Sequence, residues 1–265
     1  MKKLFVIGIA LTLFTACKQE SQSEVFSKIN SEVLQNSKAY ATLQEASTTI
    51  GHRLTGSENG KKAEQYTFDK FKEYGFDDVK FQEFETKAWS RETISVTLDG
   101  DSVKAVTLGH SPVAADVTGE LVDMGNGLEA DYAANPGAVN GKIVLVYIGI
   151  LEGSPEDAKN LHRSEKTAIA IKNGATGVVI FNQVDGGVLL TGTASVTGEL
   201  IPIPAVCISK EKGMELKEKL KAGMPIEAHL AMTNNSDVIK ARNVIATLTG
   251  SELPDEKIII GGHLD

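Results

Sequence analysis

Between about His110 and Thr233 the chain is written in short apolar runs parted by glycine-containing turns. That texture suits a compact β-rich unit with a few helices and little else. Glu120–Met124, Ile143–Ile148, Gly177–Phe181, Ala205–Ile208 and Ile226–Met232 are the predicted strands. Gly177-Val-Val-Ile-Phe181 is apolar along its length, as a strand covered on both faces must be. Two helices are expected among them, Ser164–Asn173 and Glu211–Lys221, stopped by Gly174 and Gly223. Gly186–Gly198, rich in Gly, Thr and Val, reads as a loop or irregular hairpin.

The flanks read differently. Residues 25–46 carry Val33, Leu34, Tyr40 and Leu43 at roughly helical intervals. Gly51-His-Arg-Leu-Thr-Gly-Ser57 breaks that pattern, and Ser57 suits the N-cap of a second helix with Ala63, Tyr66, Phe71 and Tyr74 on one face and Gly75 as its stop. Strands follow at Val79–Phe84 and Thr93–Leu98, then the turn Asp99-Gly-Asp101 leads back into Ser102–Leu108. Beyond the β-rich unit, Asn234-Asn-Ser-Asp237 reads as an exit linker, followed by strands Asn243–Leu248 and Ile258–Ile260. In Ile258-Ile-Ile-Gly-Gly-His-Leu-Asp265 the β-branched run suits a buried strand of an α/β sheet, at whose carboxyl end ligands gather. His263 and Asp265, two apart, would share a face while Leu264 points away. An imidazole beside a carboxylate is the arrangement of a metal-bound histidine with its supporting acid. A lone His-x-Asp is more often structural or solvated, so its weight must come from its surroundings.

Hydrophobic content of 42% and charged content of 23% are those of a globular protein, and the net charge is −8. With no basic patch, nucleic acid is not an expected partner. Met1-Lys-Lys3 and the apolar run Leu4–Phe14 read as a secretory leader too short to stay as a membrane span. Phe14-Thr-Ala-Cys17 resembles the lipobox of bacterial lipoproteins, which makes Cys17 the expected lipidation site and Lys18–Glu24 a tether. An ordinary signal peptide with an incidental cysteine is the alternative. On the lipoprotein reading the protein is exported and anchored to a bacterial membrane, facing the periplasm or the cell surface. Cys207 would then be the sole other thiol, in an apolar run that suits a buried, inert cysteine.

His52, His110, His162 and His229 are scattered and have no metal-ligand spacing. His52 and Arg53 suit packing and capping within their turn. Trp89 suits packing more than a substrate cleft, and Thr191–Ser195 an ordinary loop at least as well as a lid. Gly125-Asn-Gly127 lacks the phosphate-loop pattern, and Ser57 and Ser195 lack the GxSxG setting of a nucleophile.

Four segments in this order resemble the secreted zinc peptidases related to carboxypeptidase Q, within the aminopeptidase and glutamate-carboxypeptidase superfamily. They are Gly51–Ser57 with its helix and Tyr74-Gly-Phe76; Trp89-Ser-Arg-Glu92; a stretch from about 110 to 233 with Asn140-Gly-Lys-Ile-Val144, Asn173-Gly-Ala-Thr-Gly-Val-Val179 and Ile203–Ile208; and Arg242-Asn-Val-Ile-Ala246 followed by Ile258–Asp265. The resemblance implies an α/β fold: a peptidase sandwich around a central mixed sheet, interrupted by a β-rich protease-associated domain. Its segments would be a leader at 1–17, a tether at 18–24, peptidase at 25–109, the insert at 110–233, and peptidase again at 234–265. His263 matches the family's first zinc-ligating histidine, and Asp265 the catalytic-site carboxylate that orients it. Two zinc ions, a peptide substrate and hydrolysis of dipeptides or terminal residues are implied. The oligomeric state is open, a homodimer of the complete protein included. The family's other ligands have no counterpart in these residues, so the stretch reads as an inactive, C-terminally truncated portion, whose strands Asn243–Leu248 and Ile258–Ile260 should lack neighbours and leave apolar surface exposed. The competing reading is a lipoprotein binding module that uses the protease-associated domain without catalysis.

Overall fold

The structure, a computed structural model, describes residues 20–264; the leader, Cys17 and Asp265 lie outside them. The chain divides into a unit ending at His52 and a unit beginning at Arg53.

The first unit holds α1 (Gln22–Asn36) and α2 (Ala39–Thr49). Ser21 caps α1: its Oγ accepts from the amide of Glu24, whose carboxylate accepts from the Ser21 amide at 2.8 Å. The helix thus begins inside the stretch read as a tether. The single helix expected over 25–46 is two, because Ser37 turns extended (ψ 127°). Serine favours such breaks by offering the backbone a competing hydrogen bond; the Ser37 hydroxyl accepts from the amide of Ala39.

The second unit runs α3 (Glu58–Glu73), β1 (Asp78–Leu98), β2 (Asp101–Ser102), β3 (Ala105–Thr107), β4 (Ala114–Asp123), α4 (Glu129–Ala134), β5 (Ile143–Tyr147), α5 (Arg163–Lys172), β6 (Gly177–Phe181), β7 (Ala205–Ile208), α6 (Lys210–Lys221) and β8 (Glu227–Thr247). Its strands form one mixed sheet in the order β2-β1-β8-β4-β5-β6-β7-β3. The pairs among β4, β5, β6 and β7 are parallel; the others are antiparallel. The expected mixed α/β architecture is present.

The parallel strands have a core on each face. Val144 and Val146 of β5, Val178 and Ile180 of β6, and Ala205 and Cys207 of β7 enter one cluster with Ile169 and Ala170 of α5. The alternate residues Ile143, Leu145, Val179, Phe181, Val206 and Ile208 enter the other with Leu216 of α6. A period of two along strands apolar at every position forces this division. The helix α6 approaches so closely that a Cβ on Gly213 would lie 2.2 Å from Cβ and Cγ of Phe181. Only glycine fits there. Lys166 of α5, fully buried, donates from Nζ to the carbonyls of Tyr147, Ile148 and Gly149 at 2.8, 3.1 and 2.9 Å. It closes the main chain where β5 ends.

Two sequence expectations are corrected here. The strands expected at 79–84 and 93–98 are one strand, β1, and those at 226–232 and 243–248 are one strand, β8. The two pair from Asp78↔Thr247 to Leu98↔Ala228, with a single register shift between Arg91 and Thr93. Asn234–Asp237 is therefore no linker: it is mid-strand, with Asn235 opposite Ser90. Polar residues mislead there because Asn235 and Asp237 face solvent from within the strand, while buried Asn234 donates to the Pro112 carbonyl at 2.6 Å, so polarity does not mark a loop. The strand 243–248 has β1 as its neighbour, contrary to expectation. The second correction is that residues 258–260 form no strand. The Ile258, Ile259 and Ile260 side chains are 93%, 89% and 92% exposed. No ladder partner reaches them among the described residues, and an unpaired segment has nothing to hold it extended.

The helix α3 packs on the outer ribbon. Phe68 stacks on Phe81 with centroids 4.6 Å apart, and buried Glu64 accepts from Arg242 Nε at 2.7 Å and from its amide at 3.2 Å. The Arg242 guanidinium also lies 3.8 Å from the Phe81 ring centroid.

The Gly186–Gly198 stretch is a loop, as read, and a carboxylate fixes its start. Glu211 accepts from the amides of Gly186 at 2.6 Å and Gly187 at 3.2 Å. Main-chain N–H groups of Glu211 itself, Gly186 and Gly187 hold its acid at about 2, below the ordinary 4.5. With the folded value depressed, the contribution is complete above pH 4.5 and disappears as pH falls toward 2. Glu211→Gln should therefore speed amide exchange at Gly186 and Gly187 at neutral pH, with the difference from wild type closing below pH 4.5. An unchanged exchange rate at pH 7 would refute the tether.

Candidate metal centre

After β8 the chain leaves the sheet without a regular element. The amide of Thr249 donates to Asp77 Oδ2 at 2.7 Å, which fastens the exit beside the start of β1. From there the segment runs through Ile258–Ile260 to Gly261-Gly262-His263-Leu264. His263 is exposed and Leu264 half-buried. A side chain from the second unit's first residue reaches this end: Arg53 Nε donates to the Leu264 carbonyl at 2.9 Å. Sequence reading gave Arg53 only a role in its own turn, and a partner 211 positions away leaves no local signal.

Three of the other histidines, His110, His162 and His229, have structural work. His162 caps α5, accepting on Nδ1 from the amide of Ser164 at 3.3 Å. His229 Nε2 lies 2.7 Å from Asp116 Oδ1. His110, at φ 67°, contacts Thr193 Oγ1 through Nδ1 at 2.8 Å; burial lowers its pKa, against the pull of Glu199. Trp89 Nε1 donates to the Ser111 carbonyl at 2.9 Å and its ring stacks toward His110, so it packs the root of the ribbon. Arg91 lies over the Trp89 ring and donates to the Thr107 carbonyl at 2.6 Å. The 191–195 segment is sewn to Gly109, whose amide donates to Gly192 (2.7 Å) and whose carbonyl accepts from Ala194 (2.8 Å). That is an anchored loop. Cys207 is buried, as its apolar run suggested, and burial raises its pKa, against the pull of the Leu190 amide and Arg163.

Catalytic zinc takes about three protein ligands. Among the described residues no three His, Cys, Asp or Glu side chains gather around a common point. His263 supplies a nitrogen donor of the right kind, and the described residues supply no set to complete it.

Comparison with known proteins gives concordant results. The PA domain family matches residues 117–216. The chain is 30% identical over 233 residues to the "Probable lipoprotein aminopeptidase LpqL" of Mycobacterium tuberculosis, covering 83% of this chain and 41% of that protein. It is 26% identical to carboxypeptidase Q of Mus musculus, covering all of this chain and 58% of the relative. Among solved structures it is similar to a peptidase M28 precursor from Shewanella amazonensis, with a TM-score of 0.75 at 22% identity, over 91% of this chain and 57% of the other. The chain thus spans between about 40% and 58% of the length of the curated relatives it matches.

Proposed function

We propose that this chain, a relative of carboxypeptidase Q and the M28 peptidases that carries a PA domain, belongs to a zinc-dependent exopeptidase that hydrolyses dipeptides or removes terminal residues from short peptides. The observation that carries this reading is the extent of the similarity. It runs through the flanks as well as the PA domain, to the whole chain in carboxypeptidase Q. A module kept only for binding would need no such flanks.

In this reading His263 ligates one of two zinc ions and Asp265 orients it, with further ligands from residues outside these 265. Zinc, when bound, lowers the pKa of a water and polarises the scissile carbonyl. The described residues do not complete a ligand set for it. What they do is carry the imidazole at the end of a segment fastened at Thr249 and Leu264. The 265 residues alone are accordingly expected to hydrolyse nothing. Residues 110–233 are taken as the insert and 25–109 and 234–265 as peptidase. Cys17 is taken as the lipid anchor that holds the exported protein at the membrane.

The test is hydrolysis of dipeptides and leucyl anilides by the full-length protein, before and after chelation. Chelation should abolish activity and zinc should restore it. Hydrolysis indifferent to chelator, or none at any metal concentration, would discard the proposal.

A further inference from the structure

Arg53 reaches out of a rigid turn. Ser57 Oγ accepts from the Gly60 amide at 3.0 Å and donates to the Leu54 carbonyl at 2.6 Å, which binds the turn to α3. Gly56, at φ +79°, lies so close to β8 that a Cβ there would stand 1.7 Å from Ile239 Cδ1. The Glu64–Arg242 pair fixes α3 itself on the ribbon. The base of Arg53 is therefore immobilised from two sides. Its target is the opposite: residues 258–264 have no strand partner among the described residues.

We propose that Arg53 is a positioning residue, whose guanidinium holds the Leu264 carbonyl and so fastens the otherwise unpaired segment that carries His263. This rests on the reading of His263 as a metal ligand. The physical reason lies in the peptide unit. The Leu264 carbonyl belongs to the planar group that joins residue 264 to 265, and holding its oxygen stops that plane from rotating. A hydrogen bond one residue beyond His263 restricts the swing of the backbone that bears the imidazole, which no strand pairing holds among the described residues. Arginine suits the task, since it is always charged and its fork is planar, and a charged donor makes a stronger hydrogen bond to a carbonyl than a neutral one. Lysine would offer a charge without the planar fork.

The experiment compares wild type, Arg53→Gln, Arg53→Lys and His263→Ala in the full-length protein. Zinc affinity is measured by competition with a chromophoric chelator, kcat and KM on a dipeptide, and the thermal midpoint as a check of folding. In parallel, the heteronuclear NOE of the Gly262–Leu264 amides is measured in the 265-residue chain. Arg53→Gln should weaken zinc binding about 10- to 100-fold, the range for groups that orient a ligand. It should lower kcat with little change in KM and reduce the NOE, while Arg53→Lys recovers part of each loss. Unchanged zinc affinity and NOE in Arg53→Gln, alongside lost zinc in His263→Ala, would overturn the clamp and leave the metal reading standing. Zinc retained by His263→Ala would overturn the metal reading and, with it, the ligand-orienting role.

Discussion

Lys166→Met is expected to lower the stability of the second unit by about 2–4 kcal/mol, because each main-chain carbonyl deprived of its buried donor costs about 1–3 kcal/mol and the ammonium's own desolvation is recovered. The three carbonyls concerned, of Tyr147, Ile148 and Gly149, lie at and just past the end of β5, one of the two inner strands of the parallel set. Methionine keeps the length and the apolar stem, so the loss isolates the charged head. For a unit of this size the melting midpoint should fall by roughly 5–15 °C. The pH dependence has a definite sign. Burial lowers the Lys166 ammonium from 10.5 to about 8, so the fold bears a buried cation below pH 8 and is relieved of it as pH climbs toward 10.5. The advantage of wild type over Lys166→Met should widen across that interval. A buried charge replaced by an apolar group is sometimes neutral. A Met variant as stable as wild type at pH 7 would place Lys166 in that class and remove it from the supports of β5.

His263→Ala in the full-length protein should cost more than about 100-fold in zinc affinity and in kcat, since even groups that merely orient a ligand cost 10- to 100-fold. Folding should be unaffected. The side chain is exposed and belongs to no cluster of buried residues. A variant with wild-type zinc content and activity would return His-x-Asp to coincidence.

The two changes contrast what the sequence discloses. The strands β5, β6 and β7 were legible because they are short and apolar along their length, and Ser57, Gly174 and Gly223 mark helix ends where expected, the two glycines at φ of +84° and +76°. Lys166 was invisible, because a lysine in a helix reads as solvated until three carbonyls converge on it. The ribbon was misread for a related reason. Its outer half lies partly in solvent, so polar Asn234–Asp237 took the appearance of a loop while in fact pairing with β1. At the candidate site the resemblance singled out His263 and Asp265, while nothing in the sequence pointed to Arg53. Contacts between residues 211 apart are written in three dimensions and leave no spacing to count.

The ribbon also bears on how such a chain could arise. Arg91 stands opposite Asn234, and Thr93 opposite Thr233, so the two points where the polypeptide enters and leaves the inner sheet are neighbours. A tight turn joining 91 to 234 would seal the outer strands into a plain hairpin, with no other pairing among them disturbed. If residues 110–233 are the insert proposed above, that whole cassette could be gained or discarded in one genetic event, its host left with a hairpin.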